Sequence, residues 1–150
     1  MSDPVQRRQP LSYSTEADAV ADVRRLRSGY RKAGNWSLPQ ASRHLAAAIE
    51  RTLAGPDPTV PPAPVDPAAI GFFRSVLSTG QIPSGRPTAA APPADCDDRD
   101  VDRLLAALDQ LAALDHPVET ARFGTISAAD ARRFHRIHAA HHLSHLVPTV

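Results

Sequence analysis

One cysteine and one lysine in 150 residues set the first limits on this chain. Cys96 has no partner, which excludes an intrachain disulfide and leaves nothing that points to an oxidising compartment. Lys32 is the only lysine, so the positive charge is almost all arginine. Lys+Arg number 17 against 16 Asp+Glu, a net charge of +1. A dedicated nucleic-acid binder carries a strong basic excess, and this chain does not. No uninterrupted apolar run approaches the ~20 residues that a membrane span needs. A twin arginine stands in MSDPVQRRQPLSY, but no apolar stretch follows it, so the pair does not read as an export signal. The expectation is a soluble, cytoplasmic protein with no nucleic acid or membrane partner. Its 150 residues suit a single domain, 1–150, large enough to bury a core, with 1–13 as an extended N-terminal arm.

Familiar catalytic arrangements are missing as well. There is no acidic catalytic pair, no Ser-His-Asp order and no glycine-rich phosphate loop. Cys96 stands in a loop without charged partners that would mark it as a nucleophile. Strand signals are poor: alternation is weak, β-branched residues are sparse, and no Asn-Gly or Asp-Gly turn separates apolar runs.

Helical signals are plentiful. Residues 15–33 carry Val20, Val23, Leu26 and Tyr30 at spacings of three and four, with acids leading and arginines trailing as the helix dipole favours. Ser37 and Gln40 form the pattern of a capping box, Pro39 fits the first turn, and Gly55 is a natural stop. Between them Leu38, Ala41, Leu45, Ala48, Ile49 and Thr52 make a buried stripe. A proline-rich connector leads to a shorter helix near 67–79. Residues 80–96 then form a loop about as long as a compact domain tolerates. Asp95, Asp97 and Asp98 favour the start of a helix at about 98–114, whose face is Val101, Leu104, Leu105, Leu108, Leu111 and Leu114. HPVETARFGTI reads as a turn segment. Ser127 and Asp130 open the last helix, about 128–146. The fold class is therefore all-α: four substantial helices, one additional short helix and long Pro-rich connections.

Five of the seven histidines fall in the eleven residues from His135 to His145. At about 100° per residue, His135, His138, His141, His142 and His145 share an arc of roughly 120°, the width of one buried stripe. Phe134 lies in the same sector. Arg132, Arg133 and Arg136 occupy the far side, which reads as the wet face. Burying several imidazoles without partners is costly, and a transition metal resolves the cost because neutral imidazole is a good ligand. Two histidines at i and i+4 project side by side, and both His138–His142 and His141–His145 qualify. A third ligand must come from another helix, where His44 borders the apolar stripe. His116, before Pro117, reads as a loop residue, and Trp36 as a hydrophobic staple beside the Ser37 cap.

One histidine early in the second long helix, followed by H-x-x-x-H in the last, resembles the DinB/YfiT-like superfamily of metalloenzymes. More narrowly, LSYSTEADAVADVRRLRSGYRKAGNWSLPQASRHLA, GQIPSG and HPVETARFGTISAADARRFHRIHAAHHLSHL resemble a branch known only as a domain of unknown function. The likeness covers nearly the whole chain, and GNWSLPQASRHLA and HAAHHL are its most specific parts. It implies an up-down four-helix bundle holding one divalent ion, Zn or Ni, through His44, His138 and His142. The branch usually has Gln where this chain has His145. That residue is open to being a spare ligand, a supporting donor or an acid/base group, and His141 then supports the site or contacts a neighbouring helix; both are candidate catalytic residues.

Three neutral histidines leave a position for water or substrate, as catalytic sites do. The resemblance implies a transferase that uses a low-molecular-weight thiol, or a hydrolase, acting on a small molecule. The 80–96 loop has two readings: a cover for that position, with Arg86 meeting a substrate carboxylate, or an inert connection. The other reading is a non-catalytic metal-binding or interaction bundle. A homodimer is compatible with either.

Overall fold

The computed structural model describes residues 4–83 and 91–149. In chain order these residues form α1 (Glu16–Arg27), β1 (Tyr30–Lys32), α2 (Leu38–Ala54), α3 (Pro67–Thr79), α4 (Asp98–Ala112), β2 (Val118–Thr120), β3 (Gly124–Ile126), α5 (Ala128–Leu143) and β4 (Leu146–Pro148). The chain is mostly helical, as its apolar spacing requires. Residues 84–90, Arg86 among them, lie outside the described residues.

Local chemistry fixes where each helix begins. Thr15, Ser37 and Asp97 each accept a hydrogen bond from the backbone three or two residues on, and Asp18, Gln40 and Asp100 reach back to complete capping boxes. Asp66 caps α3, and Ser127 caps α5. Gly55 ends α2 and Gly80 ends α3, both at positive φ, where a side chain would be strained.

The core lies where α1, α2, α4 and α5 meet. α2 packs on α4 and α5, α1 packs on the same two helices, and α3 lies against α5. Leu26, Leu45, Ile49, Leu104, Leu108, Leu111 and Leu143 are fully buried there. All but Leu143 come from the stripes read in the sequence, because a helix buries the face that repeats every three or four positions.

Two features depart from the sequence reading. First, the described residues include four three-residue strands. β1 pairs antiparallel with β4 (Tyr30 opposite Pro148, Lys32 opposite Leu146), and β2 pairs with β3 in a hairpin (Val118 opposite Ile126). α1 therefore stops at Arg27 rather than running to residue 33, and α5 stops at Leu143 rather than 146. Three-residue strands are too short to show alternation, and their stability comes from contacts distant in sequence. Second, the arginine face of α5 is only in part the solvated surface expected: Arg133 is exposed, whereas Arg132 and Arg136 are half-buried. Arg132 and Arg136 both bind Glu16, whose side chain is only 1% exposed. The long arginine stems cover the carboxylate while their heads neutralise it.

Residues 4–13 form no helix or strand, yet they are tied to α5. Arg8 makes a two-pronged ion pair with Asp22 (2.9 and 3.0 Å), donates to the carbonyl of Leu143 (2.9 Å) and donates from its backbone to the carbonyl of Ser144 (2.8 Å). The Tyr13 hydroxyl also donates to Asp22. Burial and the Asp22 charge both push the Tyr13 phenol upward, so it stays a neutral donor.

Candidate metal centre

α2 and α5 are neighbours, and each turns a histidine-bearing face toward the other. Four residues along an α-helix are about 6 Å of rise on one side, so His138 and His142 stand next to each other on α5. His44 meets them from the second turn of α2. The ligating nitrogens of His44, His138 and His142 lie within 4.8 Å of one another. The Nε2 atoms of His44 and His138 are 3.2 Å apart. Two imidazole nitrogens on one tetrahedral ion, each about 2.0–2.1 Å from it, would be separated by about 3.3 Å. The donor set therefore fits a divalent ion of the kind that imidazole binds.

The electrostatics agree with that chemistry. Burial lowers the pKa of all three rings: His142 to about 3, His138 well below the ordinary imidazole value, and His44 less far. The neighbouring rings, and Arg51 in the case of His44, act in the same direction. At neutral pH each ring is uncharged, the form that donates a lone pair to a metal.

Trp36 completes the wall. Its indole stacks on His142 with ring centres 5.1 Å apart and planes 2° from parallel, and it meets His44 edge-on at 5.2 Å. The sequence reading made Trp36 a staple for the α2 cap. It stands just before the helix, outside any periodic pattern, so no spacing argument could direct it to the histidines.

The other two histidines of the face are nearby but differently employed. The Arg7 guanidinium donates to Nδ1 of His141 (3.0 Å) and also to its carbonyl and to the Ser144 hydroxyl. A guanidinium can only donate, so Nδ1 accepts and the proton of this neutral ring sits on Nε2. Burial, then the Arg7 charge, then His145 lower the His141 pKa to about 4. His145 lies beyond the end of α5. Its carbonyl accepts from the backbone N–H of Ala33 (2.7 Å), and its ring packs against Gly34 and 6.0 Å from the ring of His141. Neither His141 nor His145 belongs to the three-nitrogen cluster. Arg7 was met in the sequence only as half of a twin arginine. Its contact with a residue 134 positions away left no local trace. His116 is exposed and contacts Asp115, as its loop position suggested. Cys96 contributes nothing to the cluster.

His135, the fifth of the group, is 4% exposed. Its Nε2 pairs with the Thr52 hydroxyl (2.9 Å), while its buried Nδ1 has no hydrogen-bond partner. Burial first, and the Arg51 charge second, lower its pKa from 6.5 to about 4. Above pH 6.5 the ring is neutral in the folded and unfolded chain alike and adds no pH dependence. As the pH falls below 6.5 the unfolded chain takes up the proton first, so stability drops until the folded ring titrates near 4. At pH 5 the loss from this ring is about 2 kcal/mol. Urea unfolding of wild type and His135→Gln at pH 7 and pH 5 checks it: the variant should lose that much less on acidification. Equal losses would show that the ring is not held neutral.

The three histidines line a cleft of about 840 Å³, whose walls also include Phe72, Phe123 and Phe134. That volume lies in the range of small-molecule sites. A family model described as "Protein of unknown function (DUF1569)" matches residues 5–149, and the chain belongs to that family. No curated protein and no solved structure matches it.

Proposed function

We propose that this DUF1569 protein is a divalent-metal-dependent enzyme on a DinB-type four-helix bundle, with His44, His138 and His142 as ligands and Zn or Ni as the ion. The observation that carries the reading is the convergence of three ligating nitrogens, from two helices, within 4.8 Å. Their position in the wall of a cleft supports catalysis over a structural role, because a structural site closes its fourth position with protein. When bound, such an ion supplies Lewis acidity, which polarises a carbonyl or favours the deprotonated form of water or a thiol. The reaction class proposed is transfer involving a low-molecular-weight thiol, or hydrolysis, with a small-molecule substrate.

The protein's own residues have distinct parts in this reading. Trp36 covers one face of His142 and keeps bulk water from that side. Arg7 holds His141 in the tautomer whose Nε2–H is free to donate, so His141 is a hydrogen-bond donor for a substrate oxygen and not a further ligand through Nδ1. His145 remains available as an acid/base group, and its backbone is fixed through Ala33.

The test uses the chain's single tryptophan. Untagged protein stripped of metal is titrated with Ni²⁺ and with Zn²⁺, following Trp36 fluorescence and bound metal by elemental analysis. One equivalent should bind, and the open-shell Ni²⁺ should quench the indole. Trp36→Phe should still bind one equivalent without the optical signal. Failure to bind either ion stoichiometrically would remove the basis of the proposal. X-ray absorption that found four protein ligands and no exchangeable position would transfer the protein to the non-catalytic class.

A further inference from the structure

We propose that the cleft selects a small organic anion: a carboxylate or phosphate gripped by Arg51 and Arg122, joined to an apolar body that lies along Phe123 and Phe134. This deepens the metal-enzyme reading by naming a substrate class for the same site.

Arg51 is placed by helix geometry. It follows His44 by seven residues on α2, almost two complete turns, so both point to the same side about 10 Å apart along the axis. Both line the cleft. The Arg51 charge is felt at His44 and at His135, which sets the guanidinium on the histidine side of the helix. Arg122 enters from the β2–β3 turn, with its guanidinium 5.3 Å from the centre of the Phe123 ring. Phe123 in turn stacks on Phe73 and meets Phe134 edge-on, so the cation rests on a packed aromatic wall.

The charges of the cleft do not cancel internally. Among the described residues lining it are three arginines and one acid, Asp57. Asp57 is turned to the backbone and hydroxyl of Thr59 (2.9 and 2.7 Å). Arg7 is committed to His141 and Ser144. Among the described residues, neither Arg51 nor Arg122 has an ion pair with a carboxylate. Elsewhere, cleft-distant arginines such as Arg8, Arg43 and Arg103 each hold one. Two uncommitted guanidiniums beside an aromatic wall recognise an anion with an apolar body. The α2 spacing adds a length: anion and reacting group lie on the order of 10 Å apart or less.

Calorimetry against matched pairs of probes tests this. 4-Phenylbutyrate and octanoate are compared with their primary amides, and phenyl phosphate with phenol, on metal-free and Zn-loaded wild type. A carboxylate can also ligate the ion, so the metal-free protein is the decisive arm. There at least one acid should bind about tenfold or more tightly than its neutral counterpart. Arg51→Gln combined with Arg122→Gln should erase the preference, and Arg74→Gln, on the exposed side of α3, should keep it. The proposal is overturned if no probe binds at millimolar concentration, if acid and amide bind equally, or if the double variant retains the preference. A protein that prefers acids but binds no metal would lose the enzyme reading and keep this one. The reverse result would do the opposite.

Discussion

His138→Leu abolishes the stabilisation that a divalent ion gives the wild-type protein, while leaving the metal-free protein no less stable than before. Both halves follow from the same burial. An ion that binds only the folded chain adds about 2.7 kcal/mol at a concentration one hundred times its dissociation constant. With one of three ligands gone, affinity should fall by more than the 10–100-fold typical of losing a mere supporting contact. The ion-dependent shift then disappears at the same concentration. Without metal, His138 has among the described residues only the His44 ring as hydrogen-bond partner, in surroundings that strongly disfavour its charge. Leucine fills similar space and removes a half-buried polar ring. Urea unfolding with and without Zn²⁺ reads both effects. If the ion-dependent gain persists, His138 is not a ligand. If the metal-free variant drops by several kcal/mol, the ring is a structural core residue instead.

Glu16→Ala should cost about 3–5 kcal/mol, the larger of the two stability effects expected away from the metal centre. Glu16 is the first residue of α1 and carries a side chain 1% exposed between Arg132 (2.6 Å from Nε) and Arg136 (2.7 Å). Removing the carboxylate leaves two guanidiniums over a buried gap, and the Nε of Arg136 already lacks a partner. Glu50→Ala provides the contrast. Its pair with Arg103 is equally short, but both side chains are more than a third open to water, so the loss should be about 0–1 kcal/mol. Denaturant midpoints of the two variants decide it. Similar losses would mean that the Glu16 pairs contribute no more than a surface bridge.

The sequence carried the helical part of this fold because helices announce themselves locally. Ser37, Gln40 and Gly55 bound α2 to the residue, and Leu45 and Ile49 are buried as their spacing required. The histidine face of α5 was visible for the same reason. Its wheel left His138–His142 and His141–His145 equally good. The family pattern picked His138–His142, and His44 meets that pair, while His145 lies past the end of α5 at Leu143. Arg132 and Arg136 misled because charge on a helix face is usually solvated; nothing near them in sequence shows that Glu16 lies beneath. Trp36, Arg7 and Arg51 were missed in the same way. Each gains its meaning from a partner on another element. No helix among the described residues is long and apolar enough to cross a membrane, which agrees with the absence of a long apolar run.

The contacts around the cluster span the chain: 94 positions separate His44 from His138, and 134 separate Arg7 from His141. Closing such loops is the entropic step that must precede any reward from the contacts themselves. During synthesis, then, His44 emerges long before the residues it needs, and a nascent chain shorter than about 142 residues cannot assemble the triad. If the cluster holds an ion as proposed, capture is a late event in the protein's life, available only to chains already elongated and folded.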